Sequence, residues 1–186
     1  MSTIRSVTVI VGSLRKESFN RKMAQAIVAM APDTLRMGFV AIGELPLYDQ
    51  DLETATPPAP WQAFRDAVRG ADALLFVTPE YNRGIPGGLK NAIDVGSRPY
   101  GHNVWNGKPA AVVSVTTGAL GAFGANHALR QSLVAVNVAT MPGPEAYIGQ
   151  AASLFDKEGK LVNDSTRDFL GKFLHAFATW VERNAA

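Results

Sequence analysis

Polar side chains that could bind a phosphate group follow the first apolar run of the chain. Residues 13–20 include two serines, an arginine and an asparagine, namely Ser13, Arg15, Ser18 and Asn20. Ser18 is a favoured helix N-cap, and the helix that it would begin at Phe19 presents free N–H groups and the positive end of a dipole. The stretch matches neither the Walker A loop nor the dinucleotide pattern Gly-x-Gly-x-x-Gly. We therefore expect a mononucleotide phosphate here, with an ordinary serine cap in a surface turn as the alternative.

A second stretch, residues 78–94, combines rigid and permissive backbone. Pro79 and Pro86 restrict φ, whereas three glycines allow close backbone approach. The loop begins with a carboxylate, an aromatic ring and an amide, which come from Glu80, Tyr81 and Asn82 respectively. Such a loop suits a flat heterocycle, whose polar edge would meet backbone N–H groups and the Asn82 amide. The alternative is a turn that needs its glycines only for geometry.

A third polar turn begins at Thr116, Thr117 and Gly118 after another apolar run. No constellation for acid, base or nucleophilic catalysis is evident, so no catalytic side chain is predicted. The histidines are His102, His127 and His175, and none has metal-ligand spacing with another His, Asp or Glu, so we expect no metal site. The chain has no cysteine, which excludes disulfides and a thiol nucleophile.

Short apolar runs alternate with helical patterns along the chain. Strands are predicted at residues 6–11, 35–42, 73–77, 110–115 and 138–141, with 146–148 as a candidate part of the last. Apolar residues recur at helical spacing after Ser18 and over residues 61–71, 89–95 and 127–136. A last helix is predicted near Asp164, which is expected to be its N-cap. This alternation predicts one α/β domain over residues 1–186: a flavodoxin-like, doubly wound, five-stranded parallel sheet of order 2-1-3-4-5 with helices on both faces. All three polar turns then lie at the carboxyl edge of the sheet, around the crevice between strands 1 and 3.

Composition narrows the functional classes. The net charge is +2, and the basic residues form no run, which argues against a nucleic-acid partner. No stretch is long enough to span a membrane, and no leader precedes the first strand, so neither a membrane partner nor secretion is expected. A cytoplasmic location is compatible with the absence of cysteine.

Two motifs resemble those of the NADPH-dependent FMN reductase family, which includes quinone, chromate and azo-dye reductases. The first runs from Gly12 to Asn20 and the second from Thr78 to Asp94, in the family's order, and the resemblance extends from about residue 8 to about residue 145. It implies non-covalent FMN, with NADPH or NADH as co-substrate. The position of Glu80 in its loop predicts a flavin neighbour or a subunit contact. The implied cofactor-binding residues are Ser13, Arg15, Ser18, Phe19, Asn20, Pro79, Glu80, Tyr81, Asn82, Thr116, Thr117 and Gly118.

The resemblance also implies a homodimer, in some members a tetramer. Some relatives join subunit pairs through an Arg in the turn after strand 4 and a Glu after strand 5. Glu145 fits the second position, but Gly124 stands at the first, so that contact is not expected. We predict a dimer with Tyr81 to Ile85 and the following helix at or beside the interface. Tyr100 and Trp105 are candidates for a pocket wall, an interface anchor or partly covered surface.

The leading hypothesis is an enzyme that takes hydride from NADPH or NADH and reduces a small-molecule acceptor: a quinone, azo dye, nitroaromatic, metal oxyanion such as chromate, or free flavin. One alternative is a flavodoxin-like electron carrier. Another is a binding protein that senses a nucleotide or flavin without turnover.

Overall fold

The computed structural model describes residues 3–185, which fold around one parallel β-sheet. Its strands are β1 (Arg5–Val11), β2 (Leu35–Val40), β3 (Ala73–Thr78), β4 (Pro109–Val115), β5 (Ala139–Thr140) and β6 (Ala146–Ile148). The order β2-β1-β3-β4-β5 confirms the predicted topology. β3 and β4 are buried at every residue, as expected for central strands whose sequences are continuous apolar runs.

The fifth position of the sheet is shared by two short strands, which correspond to the predicted segments 138–141 and 146–148. β5 pairs with the start of β4, opposite Pro109 and Ala110, and β6 pairs with its end, from Val113 to Val115. Prolines at 142 and 144 separate the two, and a proline cannot donate a ladder hydrogen bond. The predicted five-stranded sheet is therefore six-stranded.

Helices cover both faces of the sheet, as predicted. They are α1 (Phe19–Ala29), α2 (Ala59–Arg69), α3 (Gly87–Gly96), α4 (Phe123–Ala135) and α5 (Asp164–Asn184). Alternate residues of each strand point to opposite faces. One core therefore joins α1 and α5 to residues such as Val9 and Leu75, and the other joins α2, α3 and α4 to residues such as Ile10 and Phe76. Within residues 3–185, no helix combines the length and the apolar character that crossing a bilayer requires.

Three helix starts lie earlier or are capped differently than predicted. α3 begins at Gly87, directly after Pro86, and α4 begins at Phe123. The N-cap of α5 is Asn163, whose side chain accepts a 2.9 Å hydrogen bond from the Thr166 amide, so Asp164 is the first helical residue and not the cap. Both acidic and amide side chains favour this position, and here the asparagine occupies it.

Trp105 belongs to the core, so the prediction that it forms a pocket wall, an interface anchor or partly covered surface is wrong. Its ring is fully buried against Phe64 and Phe76, with centroids 5.8 and 5.9 Å away. The indole nitrogen donates a 3.0 Å hydrogen bond to the Ile93 carbonyl. A β-carbon at Gly96 would lie only 2.5 Å from the ring, so the missing side chain at 96 provides the room. Tyr100, in contrast, is 92% exposed.

Candidate functional site

A crevice opens where the carboxyl ends of β1 and β3 meet. Chain connections leave these neighbouring strands in opposite directions, which is where α/β sheets bind ligands. Gly12 continues β1 and donates a 2.8 Å hydrogen bond to the Val77 carbonyl. A β-carbon at Gly12 would lie 3.0–3.3 Å from Leu89, Thr78 and Pro79, so this glycine lets the two loops converge.

The crevice contains a cavity of about 190 Å³, whose walls come from all three predicted loops. A larger cavity of about 520 Å³ lies at the opposite, amino end of the sheet and shares none of these residues. The lining of the crevice includes every predicted cofactor-binding residue except Asn82 and Gly118, and adds Val115. It consists of Ser13, Arg15, Ser18, Phe19, Asn20, Pro79, Glu80, Tyr81, Val115, Thr116 and Thr117.

The N-terminus of α1 lies at this cavity, whose lining includes Ser18, Phe19 and Asn20. Ser18 is the N-cap, as predicted, and its hydroxyl oxygen accepts a 3.2 Å hydrogen bond from the Arg21 amide. Ser13 and Ser18 are both 3% exposed, whereas Arg15 is exposed. The first turn of α1 has no acidic residue, so the positive end of the helix dipole is not neutralised locally. This wall of the cavity is suited to an anion.

Asn20 presents an acceptor as well. Its side-chain nitrogen donates a 3.2 Å hydrogen bond to the Val115 carbonyl, which fixes the amide. Its Oδ1 atom is buried and has no hydrogen-bond partner among residues 3–185. A buried acceptor left unsatisfied costs about 1–3 kcal/mol. The site therefore combines donors for an anion with one acceptor for a hydroxyl or N–H group, a combination that a sugar-phosphate or polyol-phosphate chain satisfies.

A tight turn ends the loop after β3. Tyr81 and Gly84 exchange two backbone hydrogen bonds of 3.2 and 3.0 Å. The two residues between them, Asn82 and Arg83, have φ values of 51° and 65°. Two successive positive φ values are typical of a type I′ turn, in which asparagine is favoured. Asn82 is thus held, exposed, at the tip of the turn and outside the cavity lining, whereas Pro79, Glu80 and Tyr81 form part of that lining.

Glu80 has a structural partner that the sequence did not reveal. Its Oε2 atom accepts a 3.0 Å hydrogen bond from the amide of Ala125, in the first turn of α4. Its Oε1 atom lies 3.1 Å from Nη1 of Arg83, and its side chain is only 12% exposed. Glu80 thereby joins the loop after β3 to α4. The sequence offered one indirect indication of this contact: the residue at the cap position of α4 is Ala122, which has no side-chain oxygen and cannot cap the helix itself.

A buried polar network, also missed from the sequence, supports the loop after β4. The Ser114 hydroxyl donates a 2.6 Å hydrogen bond to the Gly121 carbonyl and accepts one of 3.1 Å from the Asn126 amide. Arg130 completes it with a 2.9 Å hydrogen bond to Asn126. Thr116 and Gly118 interact at the entrance of this loop, where the Gly118 amide donates to the Thr116 hydroxyl at 3.3 Å. The network holds the far end of the loop, so Thr116 and Thr117 are presented to the cavity from a fixed base.

The histidines lie outside the cavity lining. In residues 3–185, no group of His, Asp or Glu side chains could hold a metal ion. His127 lies on the exposed side of α4, with its Nε2 atom 2.9 Å from the Tyr147 hydroxyl. Burial, together with the hydrogen bond and charge of Glu145, raises the pKa of Tyr147 to about 12, so this phenol stays neutral at physiological pH.

The sheet order and the crevice at the ends of β1 and β3 define a flavodoxin-like protein. The sequence profile of the NADPH-dependent FMN reductase family matches residues 5–153. The chain belongs to this family and is an FMN-dependent NAD(P)H oxidoreductase, which favours the enzyme hypothesis over a carrier or a sensor.

Individual relatives agree with this assignment. A quinone reductase of Pseudomonas putida is 61% identical over 186 residues, which is all of both chains. A 2-hydroxy-1,4-benzoquinone reductase of a Burkholderia species is 43% identical over 94% of this chain and 95% of its own. Among solved structures, the flavoenzyme NAD(P)H:(acceptor) oxidoreductase FerB from Paracoccus denitrificans superposes with a TM-score of 0.92 at 41% identity, over 98% of this chain and 100% of its own.

Proposed function

We propose that this enzyme reduces quinones to hydroquinones at the expense of NADPH or NADH, with FMN held non-covalently in the crevice between β1 and β3. The observation that carries the proposal is the convergence of an anion-binding helix end, a buried unpaired acceptor and two rigid loops on one cavity. The name of the P. putida relative, which aligns over the full length, supports quinone as the acceptor. In the overall reaction, NAD(P)H, a proton and a quinone give NAD(P)⁺ and a hydroquinone.

The residues of this chain divide into two groups by the part of FMN that they would hold. Ser13, Arg15, Ser18 and the N-terminal amides of α1 would bind the phosphate, and Oδ1 of Asn20 would accept a hydrogen bond from a ribityl hydroxyl. The ring would lie against the loops after β3 and β4, lined by Phe19, Pro79, Glu80, Tyr81, Thr116 and Thr117, with Asn82 and Gly118 as predicted neighbours. FMN supplies the redox chemistry, since its ring accepts hydride and returns electrons to an acceptor. The protein supplies position and electrostatics.

Further acceptors belong to the same proposal. Tyr81 is 46% exposed at the mouth of the cavity, so the entrance is open rather than enclosed. An open entrance favours several flat or small oxidants: azo dyes, nitroaromatics, free flavin and chromate. We propose quinones as the main class and these as secondary substrates.

A homodimer in the cytoplasm is also proposed. The exposed turn around Tyr81 is consistent with an interface near the crevice, since aromatic residues are enriched in interface cores. The exposed ring of Tyr100 follows the C-terminal end of α3 and is a second candidate contact, outside the crevice. Ile85 supports the proposed interface less than its sequence position suggested, because its side chain is half-buried against the core of its own chain. Light scattering over a dilution series tests this: a mass of twice the 19.9 kDa chain is expected, four chains would indicate a tetramer, and a single chain would contradict the proposal.

Anaerobic mixing tests the enzymatic proposal. We expect the purified, FMN-loaded protein to lose its absorbance near 450 nm on addition of NADPH or NADH and to regain it when a benzoquinone is added, with many turnovers. Loss of absorbance only through a separate reductase would indicate a carrier, and binding without loss would indicate a sensor. Titration with riboflavin, FMN and FAD completes the test, since a phosphate site predicts the tightest binding for FMN.

A further inference from the structure

We infer that Glu80 is a positioning residue that clamps the loops after β3 and β4 on either side of the flavin cavity. It does so by capping α4 from a distance, through the amide of Ala125. The inference rests on the proposed function in one respect only, namely that the cavity between these loops holds FMN.

The N-terminus of α4 has no cap of its own. Its cap position is Ala122, which has a left-handed backbone (φ 59°) and no side-chain hydrogen bond. α4 begins at Phe123, so Ala125 is the third helical residue. The amide at this position is one that an N-cap side chain normally satisfies. Glu80 supplies the missing oxygen from a point 45 residues earlier in the chain, and its negative charge lies at the positive end of the α4 dipole.

Gly124 makes this contact possible. A β-carbon at position 124 would lie 2.9 Å from Oε2 of Glu80 and 3.1 Å from the Arg83 carbonyl. The carboxylate therefore lies where a side chain at residue 124 would crowd it, so the glycine favours its approach to the Ala125 amide. Glycine is not needed there for its own conformation, since residue 124 lies within the helix and has no positive φ. Its role is close approach.

The clamp joins the two walls of the cavity. Pro79, Glu80 and Tyr81 line one side, and Thr116 and Thr117 line the other, in the loop that leads into α4. The Arg83 partner of Glu80 contributes little, because its side chain is 75% exposed and such ion pairs are weak. The carboxylate–amide hydrogen bond is therefore the contact that fixes the spacing of the two loops.

A set of variants at position 80 separates geometry from charge. We expect Glu80→Ala to raise the dissociation constant of FMN about tenfold, which is close to the low end expected for loss of a hydrogen bond to a charged group. Glu80→Gln keeps an acceptor of the same reach, so it should stay within about threefold of the wild type. Arg83→Asn removes the exposed partner while suiting the left-handed backbone, and should also remain within about threefold.

A double-mutant cycle tests the route through Gly124. Gly124→Ala should displace the carboxylate and weaken FMN binding about as much as Glu80→Ala does. In the Glu80→Ala background, the same glycine substitution should have a markedly smaller effect, because the Glu80 oxygen is gone and only the Arg83 carbonyl, 3.1 Å away, remains close to the new β-carbon. Gly171→Ala is the matched control, since a β-carbon in that helix meets nothing within 4 Å, and it should leave FMN binding unchanged.

Amide hydrogen exchange at Ala125 gives a readout without cofactor or turnover. In the full-length chain, Glu80→Ala and Gly124→Ala should each speed exchange of this amide several-fold, whereas Glu80→Gln should largely restore its protection. Unchanged exchange in Glu80→Ala, or additive effects of the two substitutions on FMN binding, would overturn the inference. A wild-type chain that fails to bind FMN would instead refute the proposed function, and the exchange experiment would still decide whether the clamp exists.

Discussion

Replacing Ser18 by aspartate would place a negative charge where the phosphate of FMN is proposed to bind. The Ser18 hydroxyl caps α1 through a 3.2 Å hydrogen bond from Arg21, and the residue is 3% exposed. Aspartate is an equally good N-cap and interacts favourably with a helix N-terminus. Folding stability should therefore change by less than about 0.5 kcal/mol. FMN binding should suffer, because the phosphate carries at least one unit of negative charge, and one unit is used below as a lower bound.

The size of the effect follows from electrostatics at a partly open site. Two unit charges 4 Å apart repel by about 4 kcal/mol at an effective dielectric constant of about 20. The cavity opens to solvent, so we take about half of this value, about 2 kcal/mol or roughly 30-fold in affinity. Riboflavin has no phosphate, and its affinity should change by less than about threefold.

Fluorescence titration of the FMN-free protein measures both ligands, and chemical denaturation measures stability. Ser18→Asn is the matched control, because asparagine caps as well as aspartate but is uncharged. The ratio of the two variants' FMN affinities isolates the charge. Two results would show that the phosphate does not lie at the N-terminus of α1. One is that the aspartate variant binds FMN as tightly as the asparagine variant, and the other is that its affinity for riboflavin falls by the same factor as its affinity for FMN.

Other predictions concern binding, catalysis and stability. Arg15→Ala should weaken FMN binding by about 1.5 kcal/mol, the low end for a hydrogen bond to a charged group because Arg15 is exposed, while riboflavin binding stays unchanged in the same titration. Each histidine changed to alanine should keep turnover within about tenfold; a loss of several hundred-fold would reveal a proton donor. Gly96→Ala should force the buried ring of Trp105 aside and lower the free energy of unfolding by about 1–3 kcal/mol, measured as a lower urea midpoint at unchanged m. Burial raises the pKa of Asp72, but hydrogen bonds from Ser6 and the charge of Arg5 lower it by more, so the net shift is downward. Asp72 therefore stabilises the fold above its unfolded pKa, near 3.8, and this contribution is lost as the pH falls through the folded value. The stability deficit of Asp72→Asn should accordingly be largest at neutral pH and shrink below pH 3.8, and a deficit independent of pH would contradict this.

The central fold could be predicted because local patterns and tertiary packing agree there. Largely apolar runs identify β3 and β4, and Ser18 marks the start of α1 by a contact only three residues away. Once the strand order is inferred, the polar turns must meet at one edge of the sheet. The cavity lining followed from this topology rather than from any single motif.

Features that depend on distant partners could not be predicted. Glu80 resembles a ligand-facing acid until its contact with Ala125, 45 residues away, is known. Trp105 lies in a polar loop, and only the space above Gly96 explains its burial. The orientation of Asn82 depends on a turn in which Arg83 also adopts a positive φ, although arginine has no local preference for that conformation.

The division of the fifth strand gives the sheet edge a natural insertion point. β5 and β6 pair independently with the two ends of β4, so extra residues between them would shift the register of neither ladder. Residues 141–145 join the two strands; Met141 is buried, and residues 142–145 are exposed at each position. Lengthening a flexible loop costs only about 0.6 kcal/mol for each doubling. A peptide tag or an electrode-binding segment inserted after Pro142 would therefore be carried at the edge of the sheet, outside the cavity lining, which makes this edge a practical attachment site for coupling the enzyme to a surface.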